Sequence, residues 1–318
     1  MIQTPTEFIN YYDDLYKEGY MDEWEESKKN RISEILKSLS LPAKCKILDF
    51  GCGTGVFSNL IKSIYPESEV VGCEITDVAL QIAKAKNKNC TFLLNEEVLK
   101  LKNTFDFVFS HHVLEHVPSI ETTLVEISSV CKENAVVLHI LPCGNIGSYE
   151  YNLTNCVVNG IDKNMGNRFY YEDPGHLRRL TSNELIAANN KHGFKIKSSF
   201  FANQYYGALS WIAKSNISNI LGLTDYNKAN SPKNKNYLMV QRFKLMGLFL
   251  LFIIPKYFMV SWHAKPKKVK HVFFIVFFLI PFLLLYPFFT YFNTKVDNEW
   301  TLGKSKENGS EMYLLFIR

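Results

Sequence analysis

The chain has 318 residues, of which 47% are hydrophobic, and this suits one sizeable domain with an additional segment. The net charge is only +5, and the predicted core carries no basic and aromatic platform, so we expect no nucleic-acid partner. The seven cysteines lack the spacing of a metal site or a disulfide framework. Together with a polar, acidic N-terminus unlike a signal peptide, they predict a cytoplasmic protein with reduced thiols and no bound metal.

The first predicted element is helical and covers residues 7–40, because apolar side chains recur there at helical spacing. We assign residues 1–43 to an N-terminal helical lid. Four tyrosines in this segment either form part of a lid over a pocket or simply pack between helices: Tyr11, Tyr12, Tyr16 and Tyr20.

Strands and helices alternate from Lys46 onward. The predicted strands are Lys46–Phe50, Glu69–Ile75, Thr91–Leu94, Phe105–Ser110 and Ala135–Leu141. Because helices separate them, this order predicts a parallel sheet that helices cover on both faces.

A well-marked helix follows at Thr181–His192. Thr181 can cap it with Glu184 as the reciprocal partner, and Gly193 ends it. Two further strands are predicted at Phe194–Phe201 and Glu311–Ile317.

A glycine-rich turn follows the first strand. The sequence runs Ile47-Leu48-Asp49-Phe50-Gly51-Cys52-Gly53-Thr54-Gly55, with Val56 where a dinucleotide fingerprint has its last glycine. Glycine permits a positive φ and has no Cβ to collide with a ligand at the end of a parallel strand. An acid at the strand end repels a pyrophosphate and suits a ligand that offers hydroxyls or an ammonium group.

This motif resembles that of the class I S-adenosylmethionine-dependent methyltransferases, especially the small-molecule group with the quinone-biosynthesis O-methyltransferases. The segment Leu114-Glu115-His116-Val117 after the fourth strand is also similar to that family. The resemblance implies an α/β fold with a Rossmann-like, doubly wound sheet of seven strands, the last antiparallel beside the fifth. It implies a core at 44–204 and 306–318, with a helical hydrophobic insertion at 205–305 before the last strand.

The resemblance also implies S-adenosyl-L-methionine as the cofactor. Asp49 and the glycine turn would contact its methionine part, and Glu74, with Ile75 beside it, would accept hydrogen bonds from the ribose hydroxyls. Asn95 stands near the position where many members have an aspartate for the adenine amino group. The full set of expected cofactor-binding residues is Asp49, Gly51, Cys52, Gly53, Gly55, Glu74, Ile75, Asn95, Glu96 and Ser110.

Methyl transfer needs mainly the alignment of a nucleophile with the sulfonium methyl, and a base helps where the acceptor is a hydroxyl. Histidine is the usual base near neutral pH. Three histidines compete for this role by analogy: His176 before the capped helix, His116, and His111 after the fourth strand.

The insertion contains two apolar runs. Val272–Phe292 has no charged residue and is long enough to span a bilayer, whereas Pro255-Lys256 interrupts the run Leu245–Trp262. Lysines border both runs and predict an anionic membrane surface as a partner. Because the positive-inside rule opposes moving Lys265–Lys270 across a membrane, we favour peripheral or monotopic insertion. A spanning hairpin, or packing within the protein or a dimer, stays open, as does the oligomeric state.

The sequence therefore predicts a membrane-associated methyltransferase, with O-methylation of a small-molecule or membrane-lipid-linked acceptor as the leading reaction. Two alternatives remain. One is a non-catalytic membrane adaptor that retains the fold. The other is a methyltransferase of a soluble substrate whose apolar insertion serves dimerisation.

Overall fold

The computed structural model describes residues 5–20 and 23–318, which form two compact units. The first unit lies within Met1–Gly144, Asp173–Phe200 and Glu311–Arg318. The second comprises Asn145–Glu172 and Phe201–Ser310.

A seven-stranded sheet organises the first unit. Its strands are β1 (Lys46–Phe50), β2 (Glu69–Glu74), β3 (Thr91–Leu94), β4 (Phe105–His111), β5 (Cys131–Pro142), β6 (Lys195–Ala202) and β7 (Glu311–Ile317). Their order is β3-β2-β1-β4-β5-β7-β6. Strand β7 is antiparallel to β5, with His139 opposite Leu314, while β1 to β5 pair in parallel. The predicted doubly wound sheet with an antiparallel last strand is confirmed.

Helices separate and follow these strands. In chain order they are α1 (Pro5–Lys17), α2 (Glu26–Lys37), α3 (Val56–Ile64), α4 (Asp77–Lys86), α5 (Asn95–Val98), α6 (Ile120–Val130), α7 (Tyr149–Asn155), α8 (Ser182–Lys191), α9 (Tyr206–Lys214), α10 (Ile217–Leu223), α11 (Pro232–His263) and α12 (Val269–Gly303). The capping box predicted for α8 is present, since the Thr181 and Glu184 side chains each bond the other's backbone N–H.

The prediction of one helical segment over residues 7–40 is wrong, because α1 ends at Lys17 and α2 begins at Glu26. Gly19 has a φ of +89° and ends α1. The Tyr20 N–H donates to the Leu15 carbonyl and the Gly19 N–H to the Tyr16 carbonyl, both at 3.1 Å. These two bonds form a Schellman motif, which satisfies carbonyls that the last helical turn leaves unpaired.

The core of the first unit lies along its central strands. Phe105, Phe107 and Phe109 of β4 and Ile47 and Leu48 of β1 are completely buried. Continuous apolar burial is typical of parallel strands, because helices cover both faces of such a sheet.

The second unit is mostly helical and contains a short ladder between Ile161–Asp162 and Arg168–Phe169. Helices α7, α9 and α10 pack on the first part of α11 through Leu153, Leu209, Ile220 and Leu238. Helix α11 continues through Pro255, and α12 through Pro281 and Pro287. By length and composition both could cross a membrane, since 18-residue windows within them have mean hydropathies of 1.8 and 2.6.

Candidate functional site

A cavity of about 670 Å³ lies in the first unit at the carboxyl ends of β1, β2 and β4. This edge of an open α/β sheet is the usual place for a ligand. Its wall includes side chains of α1, Trp24, the glycine turn, the end of β2 and the segment after β4. Aromatic side chains supply much of the wall: Tyr12, Tyr16, Tyr20, Trp24 and Phe57.

The glycine turn holds its backbone close to the end of β2. The Gly51 and Cys52 N–H groups both donate to the Cys73 carbonyl at 2.9 Å. Gly51, Gly53 and Gly55 have φ values of +74°, +51° and +81°, which other residues rarely adopt. A Cβ on Gly53 would lie 3.1 Å from the Tyr16 hydroxyl oxygen. The turn is thus a cradle that a side chain would fill.

Two buried carboxyl groups flank this cradle. Asp49 accepts a hydrogen bond from the Ser58 hydroxyl at 2.5 Å, and burial raises the pKa of Asp49 to about 7. Glu74 accepts hydrogen bonds from the Gly53 N–H at 3.0 Å and the Ile75 N–H at 2.7 Å. Burial also raises the pKa of Glu74. Buried carboxyls of this kind favour a ligand that brings hydroxyl donors and a positive charge.

Most of the predicted cofactor-binding residues line the cavity. These are Asp49, Gly51, Cys52, Gly53, Glu74, Ile75 and Asn95. Gly55, Glu96 and Ser110 lie outside the wall that the described residues form. Gly55 precedes the first turn of α3, Glu96 is exposed on α5, and the Ser110 hydroxyl lies 3.2 Å from His139 Nδ1.

His116 lines the cavity and has polar neighbours on both ring nitrogens. Its Nδ1 lies 2.7 Å from the Tyr12 hydroxyl and 3.1 Å from the Gly175 carbonyl, and its Nε2 lies 3.9 Å from a Glu115 oxygen. Burial lowers the pKa of His116 to about 4, so the ring is neutral near pH 7.

The other two predicted histidines differ in position. His111 lines the cavity, and its ring centroid lies 4.6 Å from that of Trp24 and 4.4 Å from that of Phe57. Burial keeps the pKa of His111 well below its ordinary value. The His176 ring lies behind His116 at a centroid distance of 4.6 Å and is not part of the described cavity wall.

A buried ionic network lies beside the cavity, and it was not predicted from the sequence. Glu311, at the start of β7, lies 2.5 Å from Lys28 and 3.4 Å from His112, and accepts the Tyr313 hydroxyl at 2.5 Å. Burial would raise the pKa of Glu311, but Lys28 holds it well below the usual range. The only signal in the sequence is an acid at the start of an otherwise apolar strand.

Glu115 was recognised as part of a motif but not as a functional residue. It is fully buried, and one oxygen lies 2.8 Å from His112 Nδ1. Burial alone would raise the pKa of Glu115, but the neighbouring His112 lowers it to about 2. The group therefore stays ionised beside His116.

Among the described residues, two groups of side chains have the geometry to hold a metal ion, since the ligand atoms within each group lie within 4.8 Å of one another. They are His111, His112 and Glu311, and Glu115, His116 and His176. The expectation of no bound metal stays a prediction.

Comparison with known proteins decides the family. A family model described as a methyltransferase domain matches residues 21–199, more than half of the chain. The chain belongs to this methyltransferase family. The prediction from the glycine turn is confirmed at the level of the family: the chain contains a class I S-adenosylmethionine-dependent methyltransferase domain, and S-adenosyl-L-methionine is the cofactor of this family.

Several methyltransferases are similar to this chain, each over only part of its own length. The demethylmenaquinone methyltransferase of Lactococcus lactis is 37% identical over 30% of this chain and 40% of its own length. The ubiquinone biosynthesis O-methyltransferase of Pelagibacter ubique is 29% identical over 35% of this chain and 48% of its own. The chain thus spans less than half of the length of these relatives.

Among solved structures, a putative sarcosine dimethylglycine methyltransferase from Galdieria sulphuraria is similar, with a TM-score of 0.48 and 13% identity. The match covers 98% of this chain and 97% of that one. It concerns the fold only.

Proposed function

We propose that the enzyme methylates a hydroxyl oxygen of a small acceptor bound in the cavity of the first unit. The observation that carries this proposal is the neutral His116 ring in the cavity wall, next to the ionised Glu115. A neutral imidazole can take a proton from a hydroxyl, and a nearby carboxylate stabilises the imidazolium that forms.

S-Adenosylmethionine supplies an electrophilic methyl group on a sulfonium. The glycine turn would hold the methionine part, and Asp49 would face its ammonium group. Glu74, which accepts hydrogen bonds from the Gly53 and Ile75 N–H groups, would also accept them from the ribose hydroxyls. Asn95 lines the cavity and would bind the adenine amino group.

His116 Nε2 is the proposed proton acceptor. Two oxygen atoms, from Tyr12 and Gly175, lie within hydrogen-bond distance of Nδ1, and a proton on Nδ1 can bond to them. This arrangement leaves the lone pair on Nε2. During methyl transfer, Nε2, which lies 3.9 Å from a Glu115 oxygen, would take the proton that the acceptor hydroxyl loses. His111, in the cavity wall, would position the acceptor, and His176, whose ring centroid lies 4.6 Å from that of His116, would position the His116 ring.

The acceptor is proposed to be apolar or lipid-linked. The aromatic wall of Tyr12, Tyr16, Tyr20 and Trp24 favours a flat or hydrocarbon-rich molecule over a charged one. Two relatives are named for ubiquinone and menaquinone reactions. The apolar helices α11 and α12 support an association with a membrane, in which an acceptor of this kind dissolves.

The test uses the full chain in liposomes, cellular lipid extract and methyl-labelled S-adenosylmethionine. We expect label in the organic phase, in a product whose mass spectrum shows an O-methyl group. His116→Gln should abolish most of this label. His192→Gln is the control and should not, because His192 pairs with Glu121 instead of lining the cavity. Label confined to the aqueous phase would exclude a lipid acceptor. Failure to bind the cofactor would instead favour the non-catalytic adaptor.

A further inference from the structure

Helices α11 and α12 of the second unit form an antiparallel hairpin joined by residues 264–268. Aromatic rings of the two helices contact each other, with centroid distances of 5.8 Å for Phe252 and Phe289, 4.1 Å for Phe258 and Phe282, and 5.8 Å for Tyr257 and Phe274. The two helices thus pack on each other, and each helix covers one side of the other.

The remaining surface of α12 is apolar and exposed. None of the described residues 269–295 is buried. Large apolar side chains are more than 60% exposed at Phe273, Val276, Phe277, Ile280, Leu283, Leu284 and Phe288. At about 100° per residue, the exposed apolar positions of the helix cover an arc of about 200°.

This arc leaves α12 without a polar side. A helix that lies in the membrane plane needs one polar face toward water and one apolar face toward lipid. Between Val272 and Pro287 every exposed position of α12 is apolar or aromatic. An in-plane hairpin would therefore leave part of this apolar surface in water.

Charges lie only near the two ends of the apolar segment of α12. No Asp, Glu, Lys or Arg occurs between Lys270 and Lys295. At 1.5 Å per residue this segment is about 36 Å long, enough for a hydrocarbon layer of about 30 Å. In α11, Lys256 is the one such charge between Lys244 and Lys265, and its exposed side chain can extend toward the loop-side headgroups.

The ends also carry the residue types found at membrane interfaces. Near the loop, Lys267 Nζ lies 5.1 Å from the Trp262 ring centroid. At the other end of α12, Lys295 Nζ lies 5.2 Å from the Tyr291 ring centroid. Tryptophan, tyrosine and lysine at two levels, with an uncharged segment between them, match the two interfaces of a bilayer.

We infer that the α11–α12 hairpin inserts end-on into a lipid bilayer, so that its helices cross the hydrocarbon layer and the lysine loop 264–268 reaches the far headgroups. This differs from the in-plane insertion favoured from the sequence. The positive-inside bias opposes the inferred topology, but the absence of a polar face on α12 outweighs it. The inference concerns the second unit and does not depend on the proposed reaction.

The first experiment measures depth along α12. Single spin labels are placed on the full chain in liposomes by Phe273→Cys, Val276→Cys, Ile280→Cys, Leu284→Cys and Phe288→Cys, all at exposed positions. The native cysteines are buried or half-buried, and the unsubstituted chain gives their background. Collision rates with oxygen and with a water-soluble nickel chelate report the depth of each label.

End-on insertion predicts a depth maximum between Ile280 and Leu284, with smaller depths at Phe273 and Phe288. Equal, shallow depths would overturn the inference in favour of an in-plane hairpin. Labels shielded from both oxygen and nickel would overturn it in favour of a contact between copies. Labels open to nickel throughout would exclude membrane insertion.

The second experiment tests the side of the loop in sealed vesicles, with a membrane-impermeant maleimide. Val269→Cys, at a position 87% exposed, reports the loop, and Lys88→Cys, on an exposed lysine of the first unit, is the matched control. We expect the reagent to label the two variants from opposite sides. Labelling of both from one side would overturn the inferred topology.

Discussion

The Glu74 carboxylate accepts a hydrogen bond from the Gly53 N–H at 3.0 Å and so joins the end of β2 to the glycine turn after β1. Both residues lie in the cavity wall. In the proposed function this carboxylate, which orders the turn, also meets the cofactor's ribose, so a change there should affect the turn and the ligand together.

Glu74→Gln should weaken cofactor binding about 10- to 100-fold, because hydrogen bonds to a charged group are worth about 1.5–3 kcal/mol. Titration calorimetry with S-adenosylhomocysteine measures the Kd. Glu69→Gln is the matched control, since Glu69 lies on the same strand but is half-exposed and pairs with Lys46 at 3.1 Å. An unchanged Kd for Glu74→Gln would remove the ribose role.

Asp49 should couple cofactor binding to proton release. Burial raises the pKa of Asp49 to about 7 in the ligand-free protein, and an ammonium group beside it would lower that pKa. Below about pH 7 binding therefore releases a proton, and affinity rises with pH up to that value. Calorimetry at pH 6.5 in two buffers of different ionisation enthalpy counts the protons. Asp49→Asn should lose this release, and equal release in both proteins would contradict the assignment.

Gly53→Ala should lower both stability and cofactor affinity. An L-residue at a φ of +51° costs about 1–2 kcal/mol, and the new Cβ would lie 3.1 Å from the Tyr16 hydroxyl. Thermal unfolding and cofactor titration give the two effects. Gly222→Ala is the control, because a Cβ there meets no atom within 4 Å. Wild-type behaviour of Gly53→Ala would show that the cradle is not needed.

His116→Gln should lower kcat about 10²- to 10⁴-fold with little change in cofactor affinity, as expected for loss of a general base. Because burial lowers the pKa of His116 to about 4, its protonation should not reduce wild-type activity between pH 8 and 5. Steady-state rates of the variant and of the wild type at several pH values measure both the loss of kcat and the pH dependence. A full rate in the variant would transfer the role to another group.

Glu299→Gln should destabilise the start of α9 by about 1–2 kcal/mol. The Glu299 carboxylate accepts hydrogen bonds from the Tyr205, Tyr206 and Gly207 N–H groups at 2.9, 2.7 and 3.0 Å. A negative group there also interacts favourably with the helix dipole. Hydrogen exchange of these three amides should rise, whereas Glu307→Gln, at an exposed position, should leave it unchanged. Unaltered exchange in Glu299→Gln would contradict this capping role.

The strands were largely predictable because their signals are local. Runs of apolar residues bounded by charges and glycines place β1, β3 and β7 at the bounds observed. The break after α1 was missed because Gly19 was not recognised as a C-terminal helix stop within an otherwise helical pattern. Helix α7 and the short ladder at 161–169 were not predicted at all.

By itself, the sequence determined the glycine turn, the acid at the end of β2 and the uncharged length of α12. Each depends on neighbouring residues, through backbone conformation or residue spacing. The tertiary structure alone decided that Tyr12 meets His116, and that Glu311 meets Lys28 and His112 across most of the chain. These contacts join residues that are between 104 and 283 positions apart in the chain. Only the packing of α1, α2 and β7 against the β4 end brings them together, and no local sequence pattern encodes that packing.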